Sequence, residues 1–212
     1  MRVAANDCVE AFNQRIAQLF AWENEHISWL SPTTGDEYAE YYDDEFLTRL
    51  GLFDLKVPLR DFWPRSGPRW DRLARTQSGK VILVEAKAYP EEAVDFTSQA
   101  GETSLARIRK ALEAAQRDFA ASQSANWEAT FYQYANRLAH LYYLHGLNGL
   151  DAYLLFVCLA DAPDVPKPCS EAAWHGALRV IEKCLGLGSH RYHDRVGHVI
   201  WSVPEMTMLK LP

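Results

Sequence analysis

The chain has 212 residues, of which 48% are hydrophobic and 24% charged, a composition typical of one globular domain rather than of a disordered or fibrous protein. Its 22 basic and 28 acidic side chains give a net charge of −6, which argues against a surface built throughout to bind nucleic acid or anionic membrane. The N-terminus lacks an apolar signal segment, no apolar run approaches the ~20 residues that span a bilayer, and the cysteines show no disulfide spacing, so we expect a cytoplasmic protein.

The charge is unevenly distributed along the chain. Residues 1–55 contain 11 acidic and 3 basic side chains, whereas residues 56–80 contain 7 basic and 2 acidic ones. The net acidity therefore conceals a basic segment. The net negative charge therefore does not exclude nucleic-acid binding, but it limits such binding to a local basic groove.

The first part of the chain is predicted to be mostly helical. An apolar stripe indicates a helix over about residues 6–20. A second helix is predicted over residues 36–50, ending at Gly51, and a short strand over residues 53–59. Residues 62–68 contain two prolines and a glycine and are predicted to form a loop.

Two strands joined by a tight turn follow, at residues 69–76 and 80–89. The second strand opens with an uninterrupted apolar run, as expected of a strand buried on both faces. Helices are then predicted over residues 104–121 and 127–145, and a strand over residues 152–160.

Near the C-terminus, Ser170 is predicted to cap a helix, and a last strand is expected at residues 198–203. The resulting order, α-α-β-β-β-α-α-β-α-β, predicts a mixed sheet with helices on its faces. No Pro/Gly-rich linker divides the chain, so we expect a single domain over residues 1–212.

The predicted hairpin carries the residues that could bind a metal or take part in catalysis. Strand alternation places Glu85 and Lys87 on one face at the end of an apolar strand, where charges are costly to bury without a partner or a metal. A two-residue turn would put Asp71 on the opposite side of the sheet. A three-residue turn with Gly79 in the left-handed position places Asp71 opposite Glu85, and we favour this geometry. The carboxylates and the lysine would then form a site for one or two cations.

This spacing, Trp70-Asp71 followed after thirteen residues by Glu85-Ala86-Lys87, resembles the motif of the PD-(D/E)xK nuclease superfamily, which has the restriction-endonuclease-like fold. The R-W-D, V-E-A-K-A and S-L-A-R-I-R segments are also similar to those of an uncharacterised bacterial branch of that superfamily. The resemblance covers about residues 36–160. It implies an α/β fold with an α-β-β-β-α-β core, to which this chain adds a C-terminal helix and strand.

The resemblance also implies a nuclease that uses Mg²⁺ or Mn²⁺ to hydrolyse phosphodiester bonds, with DNA as the expected partner. Asp71 and Glu85 would ligate the metal with the carbonyl of Ala86, and Lys87 would orient or deprotonate the attacking water. Trp70 stands where the family often has a proline. Many nucleases of this fold pair to cut both strands, so a homodimer is an open alternative.

Further residues are expected around this site. Many relatives use a glutamate from an upstream helix, and helical spacing favours Glu45 over Glu40. The basic side chains expected to contact nucleic acid lie on the hairpin and on the helix after it: Arg69, Arg72, Arg107, Arg109 and Lys110. Some relatives place a glutamine on a later helix, but we predict that residues 132–137 belong to a packed core helix.

Other interpretations stay open. The three charged residues of the hairpin could form only a surface ion-pair cluster, or the scaffold could bind nucleic acid or a protein partner without cutting. The basic residues 107–110 could equally lie on a solvated helix face. A hydrolase of small molecules, with a narrow closed pocket over Glu85, is a weaker alternative.

Overall fold

The structure, a computed structural model, describes residues 6–94, 98, 100–162 and 168–202. It is a mixed α/β structure in which a five-stranded sheet is flanked by helices. The strands are Ile27–Ser31 (β1), Arg72–Thr76 (β2), Val81–Lys87 (β3), Ala152–Ala160 (β4) and Val196–Ser202 (β5). The α-helices are Asn6–Leu19 (α1), Asp43–Arg49 (α2), Leu59–Phe62 (α3), Glu102–Asp118 (α4), Tyr132–Tyr142 (α5) and Glu171–Cys184 (α6). Short 3₁₀ turns cover Thr34–Asp36 and Pro90–Ala93, and a π-helical turn covers Tyr143–Leu147.

The strands lie in the sheet in chain order, from β1 to β5. Strands β1, β2 and β3 are antiparallel, whereas β3, β4 and β5 are parallel. Parallel neighbours need long crossover connections, which α4 and α5 provide between β3 and β4 and α6 provides between β4 and β5. Glu85 pairs with Phe156, so β3 and β4 end at the same edge of the sheet. The predicted mixed sheet with flanking helices is confirmed.

Apolar side chains pack on both faces of the sheet. Leu83 and Leu154 face a large core formed with helices α2, α4, α5 and α6. Ile82 faces the other way and belongs to a smaller core with Phe12 and Ile16 of α1. Burial on both faces explains why β3 and β4 are almost continuously apolar until β3 reaches its charged end.

Helix α1 leads into a close contact with β5 at Gly197. A Cβ atom at this position would collide with Leu19 Cδ2 and lie 2.8 Å from Phe20 Cζ. We expect Gly197→Ala to lower the free energy of unfolding in urea by about 1 kcal/mol, the lower end for overpacking, because the colliding atoms are ends of side chains and Leu19, 41% exposed, can move aside. Gly176→Ala is the matched control: a Cβ there meets nothing within 4 Å, and the change should stabilise α6 by about 0.5–1 kcal/mol. Equal losses of unfolding free energy in the two variants would contradict the claim that Gly197 is closely packed.

Two predictions for the early part of the chain are wrong. The helix expected over residues 36–50 begins only at Asp43, because the backbone before it passes through left-handed conformations and Tyr41 forms an isolated β-bridge with Trp70. Residues 53–59, all within the described part of the chain, form no strand. The place beside β2 is taken instead by β1, a strand that the sequence did not reveal.

The later elements agree more closely with prediction. Strand β4 covers the expected residues 152–160, and the Ser170 side chain caps α6. The helix expected over residues 104–121 is observed as α4, while that over 127–145 begins five residues late, after Phe131 adopts a left-handed φ of 70°. Within the described residues, no helix combines the length and the apolar character needed to cross a membrane.

Candidate active site

The turn between β2 and β3 has the predicted three-residue geometry. Thr76 N donates to Lys80 O at 2.9 Å, and Gly79 N donates to Thr76 O at 3.0 Å. Gly79 has a φ of 93°, in a region that favours glycine. The paired residues then run along the ladder as far as Arg72 opposite Val84.

The next position in this register places Asp71 opposite Glu85. Asp71 Oδ2 accepts a hydrogen bond from Ala86 N at 2.6 Å, which holds the carboxylate beside the end of β3. Lys87 follows on the same face of β3. The structure therefore brings together the three residues on which the sequence motif depends.

The Glu85 carboxylate is buried between two cations. Its Oε1 accepts a hydrogen bond from Lys87 Nζ at 2.6 Å, and its Oε2 accepts one from Arg137 Nε at 2.7 Å. The Glu85 side chain is 4% exposed and that of Arg137 is 8% exposed. Lys87 Nζ also donates a hydrogen bond to Gln133 Oε1 at 3.0 Å, and this bond links the end of β3 to helix α5.

These groups face a polar cavity of about 660 Å³. Its walls come from the segment before α2, the loop before β2, the end of β3, the 3₁₀ turn after β3 and helix α5. The charged lining residues are Glu40, Arg69, Asp71, Glu85, Lys87, Glu92 and Arg137. The remaining lining residues are Tyr42, Ser66, Gly67, Pro68, Ala86, Gln133 and Asn136.

The Asp71 carboxyl group is the most perturbed acid of this cavity. Burial and the neighbouring Glu85 carboxylate raise its pKa to about 6, with a smaller contribution from Glu40. The Ala86 N–H and the Arg137 guanidinium oppose this rise. Crowding of carboxylates at one point in a desolvated site favours a bound proton or cation.

The upstream glutamate at the cavity is Glu40, not the Glu45 expected from helical spacing. Glu40 lies on the irregular segment before α2, beside the bridge between Tyr41 and Trp70, and it lines the cavity. Glu45 is exposed on α2 and does not line it. The late start of the helix is the reason, because the expected helical face does not exist at residue 40.

Of the two arginines expected on the hairpin, one lines the cavity. The Arg69 guanidinium lies 4.1 Å from the Tyr42 ring centroid. The backbone carbonyl of Arg69 accepts a hydrogen bond from Arg137 Nη2 at 3.0 Å. Arg72 points to the other face of the sheet, where its guanidinium lies 5.2 Å from the Trp29 ring and burial lowers its pKa. Strand alternation from Asp71 explains why Arg72 lies away from the cavity, and its contact with nucleic acid stays a prediction.

The basic residues of α4 lie outside the cavity lining. Arg107 Nη1 donates to the Arg60 carbonyl at 2.8 Å, and Arg109 pairs with Glu128 at 2.9 Å on the surface. Lys110 is exposed. None of the described residues that line the cavity comes from α4, and the contact of these side chains with nucleic acid stays a prediction.

Helix α5 supplies the residues that the sequence prediction missed. Gln133, Asn136 and Arg137 line the cavity, although residues 132–137 were expected to be only packed core. Positions i, i+3 and i+4 lie on one face of a helix. Three polar side chains at that spacing were the pattern from which this polar face could have been predicted. A polar face on an otherwise aromatic, buried helix needs partners, and here the partners are on β3 and the loop before β2.

The cavity contains oxygen donors of the kind that bind magnesium. Among the described residues, no group of three or more His, Cys, Asp or Glu side chains is arranged to hold a metal ion. Magnesium, however, is commonly held by one or two carboxylates and completes its octahedron with waters and phosphate oxygens. Asp71, Glu85 and the Ala86 carbonyl are hard oxygen donors, and each carboxylate oxygen has a second lone pair beyond the hydrogen bond it accepts.

Comparisons with protein-family models, with curated proteins and with solved structures found no match to this chain. The function proposed below therefore depends on the residues around the cavity. It depends equally on the strand order that positions them.

Proposed function

We propose that the protein is a Mg²⁺-dependent nuclease that hydrolyses phosphodiester bonds, with DNA as its substrate. The observation that carries the proposal is the convergence of Asp71, Glu85 and Lys87 at one point of a polar cavity. Two carboxylates and an ammonium group in this arrangement suit the binding of a cation beside a phosphate. The cavity also contains Arg69 and Arg137, which supply positive charge for an anionic backbone.

The order of the elements supports a restriction-endonuclease-like topology. Helix α1, strands β1, β2 and β3, helix α4 and strand β4 occur in the order α-β-β-β-α-β, with α2 and α3 inserted before β2 and α5 inserted before β4. The core so defined spans residues 6–160, because β1 precedes residue 36. The proposed core is therefore longer than the stretch 36–160 indicated by the sequence resemblance.

In the proposed reaction, a water oxygen forms a bond to phosphorus and one P–O ester bond breaks. One strand end then carries a phosphate and the other a hydroxyl group. Lys87 already donates to Glu85 and Gln133, so its third N–H is available to orient the water or a phosphate oxygen. Orientation suits this ammonium better than deprotonation of the water. Asp71, Glu85 and the Ala86 carbonyl would hold Mg²⁺, which polarises the phosphate and stabilises charge on the leaving oxygen.

A second candidate is a nuclease-fold protein that binds nucleic acid or a protein partner without cutting. The observation that favours it is the pairing of both Glu85 oxygens with cationic side chains. Such a carboxylate is already neutralised in the absence of a metal. The two functions differ in one measurable respect, which is turnover.

The test is cleavage of supercoiled and linear DNA with Mg²⁺, with Mn²⁺ and with EDTA. We expect metal-dependent cutting by the wild type and a loss of about 10²–10⁴-fold in rate in Lys87→Ala, the range for removal of a group that acts on the nucleophile. Lys183→Ala, an exposed lysine on α6, is the matched control and should cut normally. Undiminished cutting by Lys87→Ala would contradict the assigned role, and metal-independent DNA binding without any cutting would favour the second candidate.

A further inference from the structure

Arg137 is held rigidly at the floor of the cavity. Its Nε donates to Glu85 Oε2 at 2.7 Å, and its Nη2 donates to the Arg69 carbonyl at 3.0 Å. Its guanidinium carbon lies 5.1 Å from the centroid of the Trp70 ring. A guanidinium fixed by two hydrogen bonds and a ring loses little further conformational freedom when it binds an anion.

Arg137 still has donors to offer. A guanidinium has five N–H groups, and within the described residues its hydrogen bonds to Glu85 and Arg69 use two of them. No nitrogen of Arg137 is among the described buried polar atoms that lack a partner. Arg137 lines the cavity, so the N–H groups that these two hydrogen bonds leave over are the donors it could present to a phosphate bound there.

The charges around the cavity favour one divalent cation over two. With every group ionised, the charged lining residues have a net charge of −1. The four carboxylates are Glu40, Asp71, Glu85 and Glu92, and the three cations are Arg69, Lys87 and Arg137. One divalent ion and one phosphodiester return the site to neutrality. Two ions would leave an uncompensated excess of positive charge in a partly desolvated site.

We propose that Arg137 is a catalytic residue that donates to a non-bridging oxygen of the scissile phosphate and takes the place of a second metal ion. The inference rests on the proposed nuclease function. As the water oxygen bonds to phosphorus and the ester bond breaks, negative charge grows on the phosphate oxygens, and fixed N–H donors stabilise that charge. The attacking water releases one proton to solvent, the departing oxygen takes one proton from solvent, and Arg137 keeps its own protons throughout.

The first measurement is the number of Mn²⁺ ions bound per chain. The concentration of free Mn²⁺ in the titration is read from its electron paramagnetic resonance signal. We expect one ion, displaced by Mg²⁺ and lost in Asp71→Asn. Arg137→Lys should also bind one ion, because lysine keeps the positive charge beside Glu85. Two ions bound by the wild type would overturn the proposal.

The second measurement compares Arg137→Lys with Arg179→Lys, an exposed arginine of α6 that lies outside the cavity lining. We expect Arg137→Lys to cut DNA about 10²–10³-fold more slowly, as when one fixed transition-state donor is lost. With Ca²⁺ in place of Mg²⁺, it should bind a short DNA oligonucleotide at least tenfold more weakly, while Arg179→Lys matches the wild type.

The outcomes separate the two proposals. A wild type that never cuts would refute the nuclease, yet weaker oligonucleotide binding by Arg137→Lys would still support the phosphate contact. Equal cutting by wild type and Arg137→Lys, or equal binding where nothing is cut, would overturn the role of Arg137. Circular dichroism and urea denaturation of both variants show whether their folds are matched.

Discussion

Replacing Glu85 with alanine is expected to lower the free energy of unfolding by about 3–5 kcal/mol, because the change leaves a buried guanidinium without its carboxylate. The Glu85 and Arg137 side chains are 4% and 8% exposed, so water cannot replace the lost partner well. Arg137 keeps its bond to the Arg69 carbonyl, but a carbonyl does not neutralise a charge. Urea denaturation at pH 7 measures the loss.

The matched control removes both charges. In the double variant Glu85→Leu with Arg137→Met, the buried pair is gone and only Lys87, which is 19% exposed and still bonded to Gln133, loses a charged partner. Apolar side chains of similar size often restore the stability of a buried pair. We expect it to recover most of the loss, and a double variant as unstable as Glu85→Ala would contradict the buried-pair explanation. Loss of cleavage in Glu85→Ala is consequently weak evidence for catalysis. Lys87, whose side chain is 19% exposed, is the sharper test.

The second large effect is an acid-dependent loss of stability caused by His140. This side chain is fully buried among the aromatic rings of Phe46, Phe62, Trp63 and Trp70. Burial lowers its pKa from 6.5 to about 3, although the hydrogen bond of its Nδ1 to the Asn136 carbonyl opposes the shift. The folded chain therefore keeps His140 neutral at a pH where the unfolded chain protonates it.

The direction of the pH dependence follows from this difference. Above pH 6.5 neither state binds the proton, and His140 has no effect on stability. Below pH 6.5 only the unfolded state binds it, so unfolding becomes easier by about 1.4 kcal/mol per pH unit down to about pH 3. Between pH 7 and pH 4.5 the loss from His140 is then about 3 kcal/mol.

His140→Phe is expected to remove this contribution, because phenylalanine suits the aromatic surroundings and cannot titrate. Urea denaturation at pH 7, 5.5 and 4.5 should show a flatter decline for the variant than for the wild type. His198, whose pKa burial lowers to about 4, remains in both proteins and retains its own share of the decline. His175→Gln, an exposed residue of α6, should follow the wild type. Parallel pH curves for His140→Phe and the wild type would refute the assignment.

The parts of the fold that the sequence predicted well have local causes. The turn around Gly79 determines the pairing of its own hairpin, and from it the meeting of Asp71 and Glu85 could be deduced. The continuous apolar run of β4 and the cap at Ser170 are likewise signals contained in a few adjacent residues.

The parts that could not be predicted depend on contacts between distant residues. Strand β1 is a short segment whose position is determined by pairing with β2, more than forty residues away. The choice of Glu40 over Glu45 depends on the bridge between Tyr41 and Trp70, which no helical pattern contains. Arg137 reaches Glu85 because of the way in which α5 lies on the sheet, and periodicity alone does not give that orientation.

The odd-numbered turn between β2 and β3 also sets a rule for comparing sequences. Asp71 and Glu85 are fourteen positions apart, and they face each other because a three-residue loop makes this separation even. Adding or deleting one residue within β2 or β3 would move one acid to the opposite face while leaving every letter of the motif in place, whereas the same change inside the loop would keep the two acids paired. Equal numbers of residues between each acid and the loop, rather than the total spacing, should therefore separate chains that keep the paired acids from those that only retain their letters.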